Sequence, residues 1–270
     1  MTVVQDIDAY ELVPDWASQY TILMGYRGSH VHGTYINPTE EHGTDDVDLF
    51  SVFAHPQSYY LGLGGYHNSR STYEVSGDID IVGYEIRKYL DLLSKGNPNV
   101  HSYLWLEPTK DYLFVSRAGQ LLIDNREAFL SQRLFDSLAG YAYGQLKRMV
   151  AFQFQGYMGM KRKQLANRYG YDIKNAAHCI RLLYTGIHFA NTGKIVVKLP
   201  QEELDIVLAI KRGEVSSVVE VQAKAEQLFK EFRELETQTR FCFPKSPDPE
   251  KMDRLLAQCL RISWGKQWIK

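Results

Sequence analysis

Cysteine is scarce, with three residues at 179, 242 and 259 in a chain of 270 and none in CxxC spacing. That excludes a paired-cysteine zinc site or dithiol redox motif, and an odd, sparse set suits a reducing cytoplasmic setting with thiols packed as small apolar groups. Charge of one sign is also missing: 31 Lys and Arg against 32 Asp and Glu leave a net charge of −1. No global field pulls the chain toward nucleic acid, so any such contact needs a local basic patch. No apolar run approaches the ~18 residues of a membrane span. The N-terminal MTVVQDIDAY has neither a basic n-region nor an apolar h-region, so neither a signal peptide nor a membrane partner is expected. The eight histidines include no H-E-x-x-H and no paired Cys/His spacing. Internal repeats and low-complexity segments are absent too.

What is present is the composition of a packed globular protein, 44% apolar and 13% aromatic. The pattern changes near residue 125. Before it, short apolar runs alternate with turn signals: 20–27, 46–54 and 77–83 read as strands, with a hairpin or mobile loop over 56–76. Residues 30–44 read as a short helix or loop. Apolar spacing predicts a helix over 84–95, stopped at Gly96, and Asn97-Pro98 reads as an N-cap followed by Pro at N1 of another. Beyond residue 131 helices are expected at 131–158, 160–168, 172–191, 201–212 and 216–237, with a last one starting near Pro247-Asp248-Pro249. VVKLP at 196–200 reads as a short strand or an extended link. The expectation is an α+β chain, with a mixed N-terminal part over 1–126 and a helical part over 127–270.

Asp46 and Asp48 are the most informative residues. Carboxylates one residue apart on a strand share a face, because side chains alternate with period two. Like charges there repel, and a divalent ion such as Mg²⁺ resolves the conflict. Asp80, with isoleucine on both sides, reads as a mid-strand third carboxylate, while Asp78 follows Gly77 and suits the turn. Three carboxylates can hold two divalent ions, the clamp used in phosphoryl and nucleotidyl transfer. Upstream, Gly28-Ser29 ends a strand in a turn whose N–H groups can hold an anion. His30 and His32 flank that turn and read as phosphate or base contacts, or as ordinary loop residues. Lys174, His178 and Arg181, spaced i, i+4, i+7, share one helical face behind an N-cap at Asp172. That stripe suits phosphates, or is a solvated face. Lys161, Arg162 and Lys163 form a local basic patch. Tyr59, Tyr60, Tyr66 and Tyr73 read as packing residues that could alternatively stack a base.

The segments GSHVHGT (28–34), TDDVDLFSV (44–52), DIDIVGYEIRKYLDLLSKGNPNV (78–100) and GYDIKNAAHCIRLLYTG (170–186) carry a resemblance. Together they resemble the DNA polymerase beta-like nucleotidyltransferase superfamily, and within it the RNA repair pathway DNA polymerase beta family. The resemblance implies a palm-like mixed sheet with flanking helices and metal ligands at Asp46, Asp48 and Asp80. It also implies that Gly28 and Ser29 hold the triphosphate of an NTP. Two departures stand out: the spacer from Ser29 to Asp46 is expanded, and Asp45 occupies a place expected for a small residue.

The residues and the resemblance together predict a nucleotidyltransferase dependent on Mg²⁺, with two ions, or Mn²⁺ in their place. It would move an NMP to an acceptor hydroxyl, on RNA, with loss of pyrophosphate. Gly28, Ser29, His30, Lys174, His178 and Arg181 would bind the nucleotide. The rivals are transfer to a protein or small molecule, and a non-catalytic nucleotide-binding module.

Overall fold

The computed structural model describes residues 13–62, 71–77, 79–151, 159–215 and 217–265. Among the described residues, five strands form one mixed sheet in the order β3-β4-β2-β1-β5. They are β1 (Thr21–Arg27), β2 (Val47–Phe53), β3 (Thr72–Val75), β4 (Ile79–Glu85) and β5 (Tyr112–Val115). β2 and β4 run parallel; the other neighbours are antiparallel. The expected third strand is thus β4, directly beside β2. Parallel neighbours need a crossover connection, and here it contains α2 (Gln57–Leu61) and β3. Part of the segment read as a hairpin or loop is therefore regular structure; residues 63–70, with Tyr66, lie outside the described residues. Strand β5 was not anticipated, because YLFV is too short to show alternation.

Local signals position the helices next to the sheet. Glu85 ends β4 and caps α3 (Ile86–Ser94), accepting from the N–H groups of Arg87 and Lys88 at 3.0 and 3.2 Å. Asn97 caps α4 (Pro98–Ser102), with Pro98 opening the helix as predicted. Just after α4, Tyr103 lies flat on Phe50 of β2, with ring centroids 4.0 Å apart. Phe50 and Asp48 share a face of the sheet, so this stack brings α4 beside the Asp48 face. A short helix α1 (Asp15–Ser18) precedes the sheet and α5 (Arg117–Asp124) follows it.

The helical part comprises α6 (Gln132–Val150), α7 (Met160–Tyr169), α8 (Ile173–Thr192), α9 (Gln201–Lys211), α10 (Val218–Thr239) and α11 (Pro249–Trp264). Helix α6 ends at Val150, short of the expected 158; residues 152–158 lie outside the described residues. Asp172 caps α8 and Gly193, at φ 68°, ends it in the left-handed conformation. Helix α8 is buried on most sides because it packs against α6, α9 and α10. VVKLP is a link with a bend at 197–198, not a strand. Buried apolar side chains form one cluster from Val13 to Leu260, so sheet and helices share a core. Among the described residues no helix is long and apolar enough to cross a membrane.

Candidate active site

The register of the sheet brings the acids together. Arg27 of β1 faces Asp48 of β2, and Asp48 faces Asp80 of β4, so the three form one row across three strands. Asp46 lies just before β2 rather than on it, and is exposed. Arg27 binds Asp48 at 3.0 Å and donates to the Leu49 carbonyl at 3.0 Å. Burial raises the Asp48 carboxyl above its usual range; Asp80 and Asp46 push it the same way, against Arg27 and Lys174. The donors suit a hard divalent ion in type and placement, since two carboxylates stand side by side and a third is two residues away. Among the described residues no three acids, histidines or cysteines are grouped closely enough to grip an ion by themselves. Arg27 meanwhile occupies Asp48.

Gly28 follows directly in a turn. Its φ of 67° lies in the left-handed region, and a Cβ there would sit 2.6 Å from the Asp48 carboxylate. Only glycine lets the chain turn against that side chain. Gly28 and Ser29 then line a cavity of about 240 Å³, bounded also by α4, α8 and α9.

The far wall of this cavity is cationic. Lys174, His178 and Arg181 all line it, so the i, i+4, i+7 stripe of α8 faces the site. Lys211, at the end of α9, joins them. Its ammonium donates to the Thr34 carbonyl at 2.6 Å and binds Asp45 at 2.5 Å. Asp45 also meets Lys174 at 3.1 Å and accepts from the Ile36 N–H at 2.9 Å. At 1% exposure, Asp45 is a buried carboxylate shared by two lysines. Burial acts to raise its pKa, but Lys211 and Lys174 outweigh that and hold it below the usual value, so it stays ionised.

Arg181 differs from both lysines. It is 7% exposed, and among the described residues no acid pairs with it. Burial alone acts on its guanidinium, lowering the pKa to about 10, so the group remains charged at neutral pH. Its guanidinium lies 3.5 Å from His32 Nδ1. That nitrogen lies 2.8 Å from the Val197 carbonyl and must carry the proton that bonds it, so it cannot accept from Arg181. Burial, with Arg181 nearby, pushes His32 and His178 well below their ordinary values and leaves both neutral. A buried cation without a counter-charge is costly, and here it faces a cavity that an anion could fill.

Not every expected site residue converges. His30 does not line the cavity; it is exposed and stacks on Tyr26 at 4.4 Å, because the turn after Gly28 carries its side chain away. Lys161 donates to the Pro38 and Glu40 carbonyls at 2.7 and 2.5 Å, and Arg162 binds Asp172 at 2.6 Å. Two members of that basic patch thus fasten α7 to its surroundings. Tyr59 and Tyr73 are buried, and Tyr60 donates to Glu85 at 2.5 Å, so these three pack rather than await a base.

Known proteins set this geometry in context. Residues 16–258 match the RNA repair pathway DNA polymerase beta family, RlaP. The chain belongs to that family. The RlaP match spans both the strands that carry the acids and the helices that carry the cations, and it makes the protein nucleotidyltransferase-like, of the polymerase beta type. No curated protein matches. Among solved structures, a nucleotidyltransferase-like protein from Exiguobacterium sibiricum 255-15 aligns over 81% of this chain and 69% of its own, at 11% identity. Its TM-score of 0.28 is too low to carry an argument. In this RlaP chain Lys211 and Asp45 are functional candidates that sequence reasoning missed. Lys211 looks like an ordinary lysine in the last turn of a helix, and Asp45 looked like a departure from the family pattern.

Proposed function

We propose that the protein transfers an NMP from an NTP to an acceptor hydroxyl on RNA and releases pyrophosphate. The observation that carries this reading is Arg181: a buried guanidinium with no acid partner among the described residues, lining a cavity with Lys174, Lys211 and, from the carboxylate row, Asp48. Cations on one side suit a triphosphate, and acids on the other suit its counter-ions.

In this reading Arg181 and Lys174 bind phosphate oxygens, and the Gly28-Ser29 turn offers backbone N–H groups to the same chain of phosphates. Asp46, Asp48 and Asp80 hold divalent ions, Mg²⁺ or Mn²⁺, which when bound supply the positive charge that acidifies the acceptor hydroxyl and offsets the leaving pyrophosphate. The acceptor oxygen forms a bond to the α-phosphorus. The bond from that phosphorus to its bridging oxygen breaks, and pyrophosphate departs. The hydroxyl proton passes to Asp80. Arg27 holds Asp48 in place until substrate arrives.

The test is incubation with each α-³²P-labelled NTP and Mg²⁺, offering total RNA, tRNA and a protein extract as separate acceptors, beside the Asp46→Asn/Asp48→Asn double variant. Label transferred to RNA by the wild type and lost in the variant is the expected result. Transfer to protein instead would reassign the acceptor. Tight nucleotide binding without transfer or Mg²⁺ dependence would leave a binding module, a reading favoured by the Arg27–Asp48 pair.

A further inference from the structure

Helix α6 carries an unusual outer face. From Ser137 to Val150 it contains no acid, while Lys147 and Arg148 add positive charge. Gly140 and Gly144, one turn apart, occupy the middle of the exposed arc. A Cβ at Gly140 would meet nothing within 4 Å, and one at Gly144 only the Arg148 guanidinium at 3.8 Å. Packing inside the protein therefore does not explain either glycine, although both weaken the helix relative to alanine.

At 100° per residue, Tyr143 and Lys147 flank the glycines on one side, and Tyr141 and Arg148 on the other. Tyr143 is 52% exposed, with the Lys147 ammonium 4.5 Å from its ring centroid. Tyr141 is 36% exposed and accepts from the Asn97 side chain at 3.3 Å. Among the described residues no acid pairs with Lys147 or Arg148. The result is an exposed face with glycines at its centre and a tyrosine and a cation on each side.

This face adjoins α4, one of the elements that line the candidate active site. Asn97, which Tyr141 contacts, caps α4, whose Asn99 and Ser102 line the cavity.

We infer that this face of α6 is the docking surface for a single-stranded polynucleotide. Two cations without acid partners among the described residues, one on each side of the glycines, suit its phosphates, exposed tyrosines offer stacking platforms, and the glycines let the strand lie close to the helix backbone. Extended acidic peptides share the charge but not the stacking bases. Duplexes hide their base faces. The inference rests on the transferase reading only for its purpose: it places an acceptor strand beside the cavity.

The experiment is fluorescence anisotropy without NTP, using a labelled single strand of about ten nucleotides in RNA and DNA form. A duplex of the same sequence and poly-glutamate serve as competitors, and salt is varied. The wild type is expected to bind the single strands and to be displaced poorly by the duplex or the peptide. Lys147→Gln/Arg148→Gln should flatten the slope of log affinity against log salt by about 0.7 for each phosphate left without its cation. Tyr141→Ala/Tyr143→Ala should weaken binding about tenfold for each stacked base. Gly140→Ala/Gly144→Leu separates docking from folding, because it should raise or preserve Tm yet weaken binding at least tenfold. Unchanged binding in that folded variant, or a wild type that prefers poly-glutamate, would overturn the inference. Failure of NMP transfer would not affect this binding readout. NMP transfer to a protein acceptor without strand binding would overturn the docking surface alone.

Discussion

The acid row comes from neighbouring strands and reaches the cavity at Asp48, whose side chain is 28% exposed, while Asp80 and the exposed Asp46 do not line it. The cationic wall comes from two helices and is buried, with Arg181 at 7% and Lys211 at 5%. Strand register sets Asp48 beside Asp80, and Arg27 steadies Asp48 through a partly exposed ion pair that an ion could displace. The cations are fixed in advance, two by Asp45 and the third by burial alone. The acid row adapts to its ligand while the cationic wall is preorganised for it, and preorganised charge is where binding energy is gained without reordering cost.

The largest expected effect falls on the acid row. Asp48→Asn should lower NMP transfer at least about a thousandfold while leaving the urea midpoint unchanged or higher, because the folded protein already holds that carboxyl above its usual pKa. A clear loss of stability would mean that the acid row is structural. The preorganised wall should respond in the opposite way. Asp45→Ala leaves two lysines without their shared counter-charge and should cost about 3–5 kcal/mol in equilibrium unfolding.

His101 separates scaffold from cavity. It is a fully buried residue of α4, with Nε2 2.9 Å from the Leu93 carbonyl, and burial lowers its pKa to about 4. The unfolded chain therefore binds a proton that the folded one refuses between about pH 6.5 and 4. Stability is expected to be intact above that window and to fall with pH through it, by up to about 3 kcal/mol from this residue. His101→Gln should flatten that part of the profile. If it does not, the acid sensitivity arises from His32 and His178 in the cavity instead.

The smallest change in stability should follow Arg181→Met, which removes a buried charge without stranding an acid. The variant should fold as well as the wild type or better, yet bind a triphosphate about 10–100-fold more weakly in calorimetry, the worth of one charge-assisted hydrogen bond. Equal affinity would remove the main argument for the anion site.

Much of the acid row was legible in the sequence, because it depends on period-two alternation and one register. Asp48 and Asp80 each sit between apolar residues, and pairing β2 with β4 sets them side by side. The α8 stripe was legible for the same reason, at helical period. Lys211 and Asp45 were not, since their contact joins positions 166 residues apart and neither end carries a local signal. His30 was misplaced by adjacency: it follows Gly28-Ser29 in the chain, but a left-handed glycine redirects what comes next. The basic run at 161–163 signalled charge without its destination, which for Lys161 is the backbone at Pro38 and Glu40.

That last contact has company. The stretch from Gly28 to Asp46 is fastened to the helical part and its links at His32 by Val197, at Thr34 by Lys211, at Glu41 by Arg168, at His42 by Tyr169 and at Thr44 by Lys174. Every one of these ties spans more than a hundred residues of chain. Contacts so distant must wait for their loops to close and form late in folding. During synthesis the strands emerge well before α8 and α9, so a nascent chain would hold its acids long before it could grip a phosphate. The anion grip then arrives together with the last tertiary contacts, and a partly folded molecule should be unable to engage nucleotide at all.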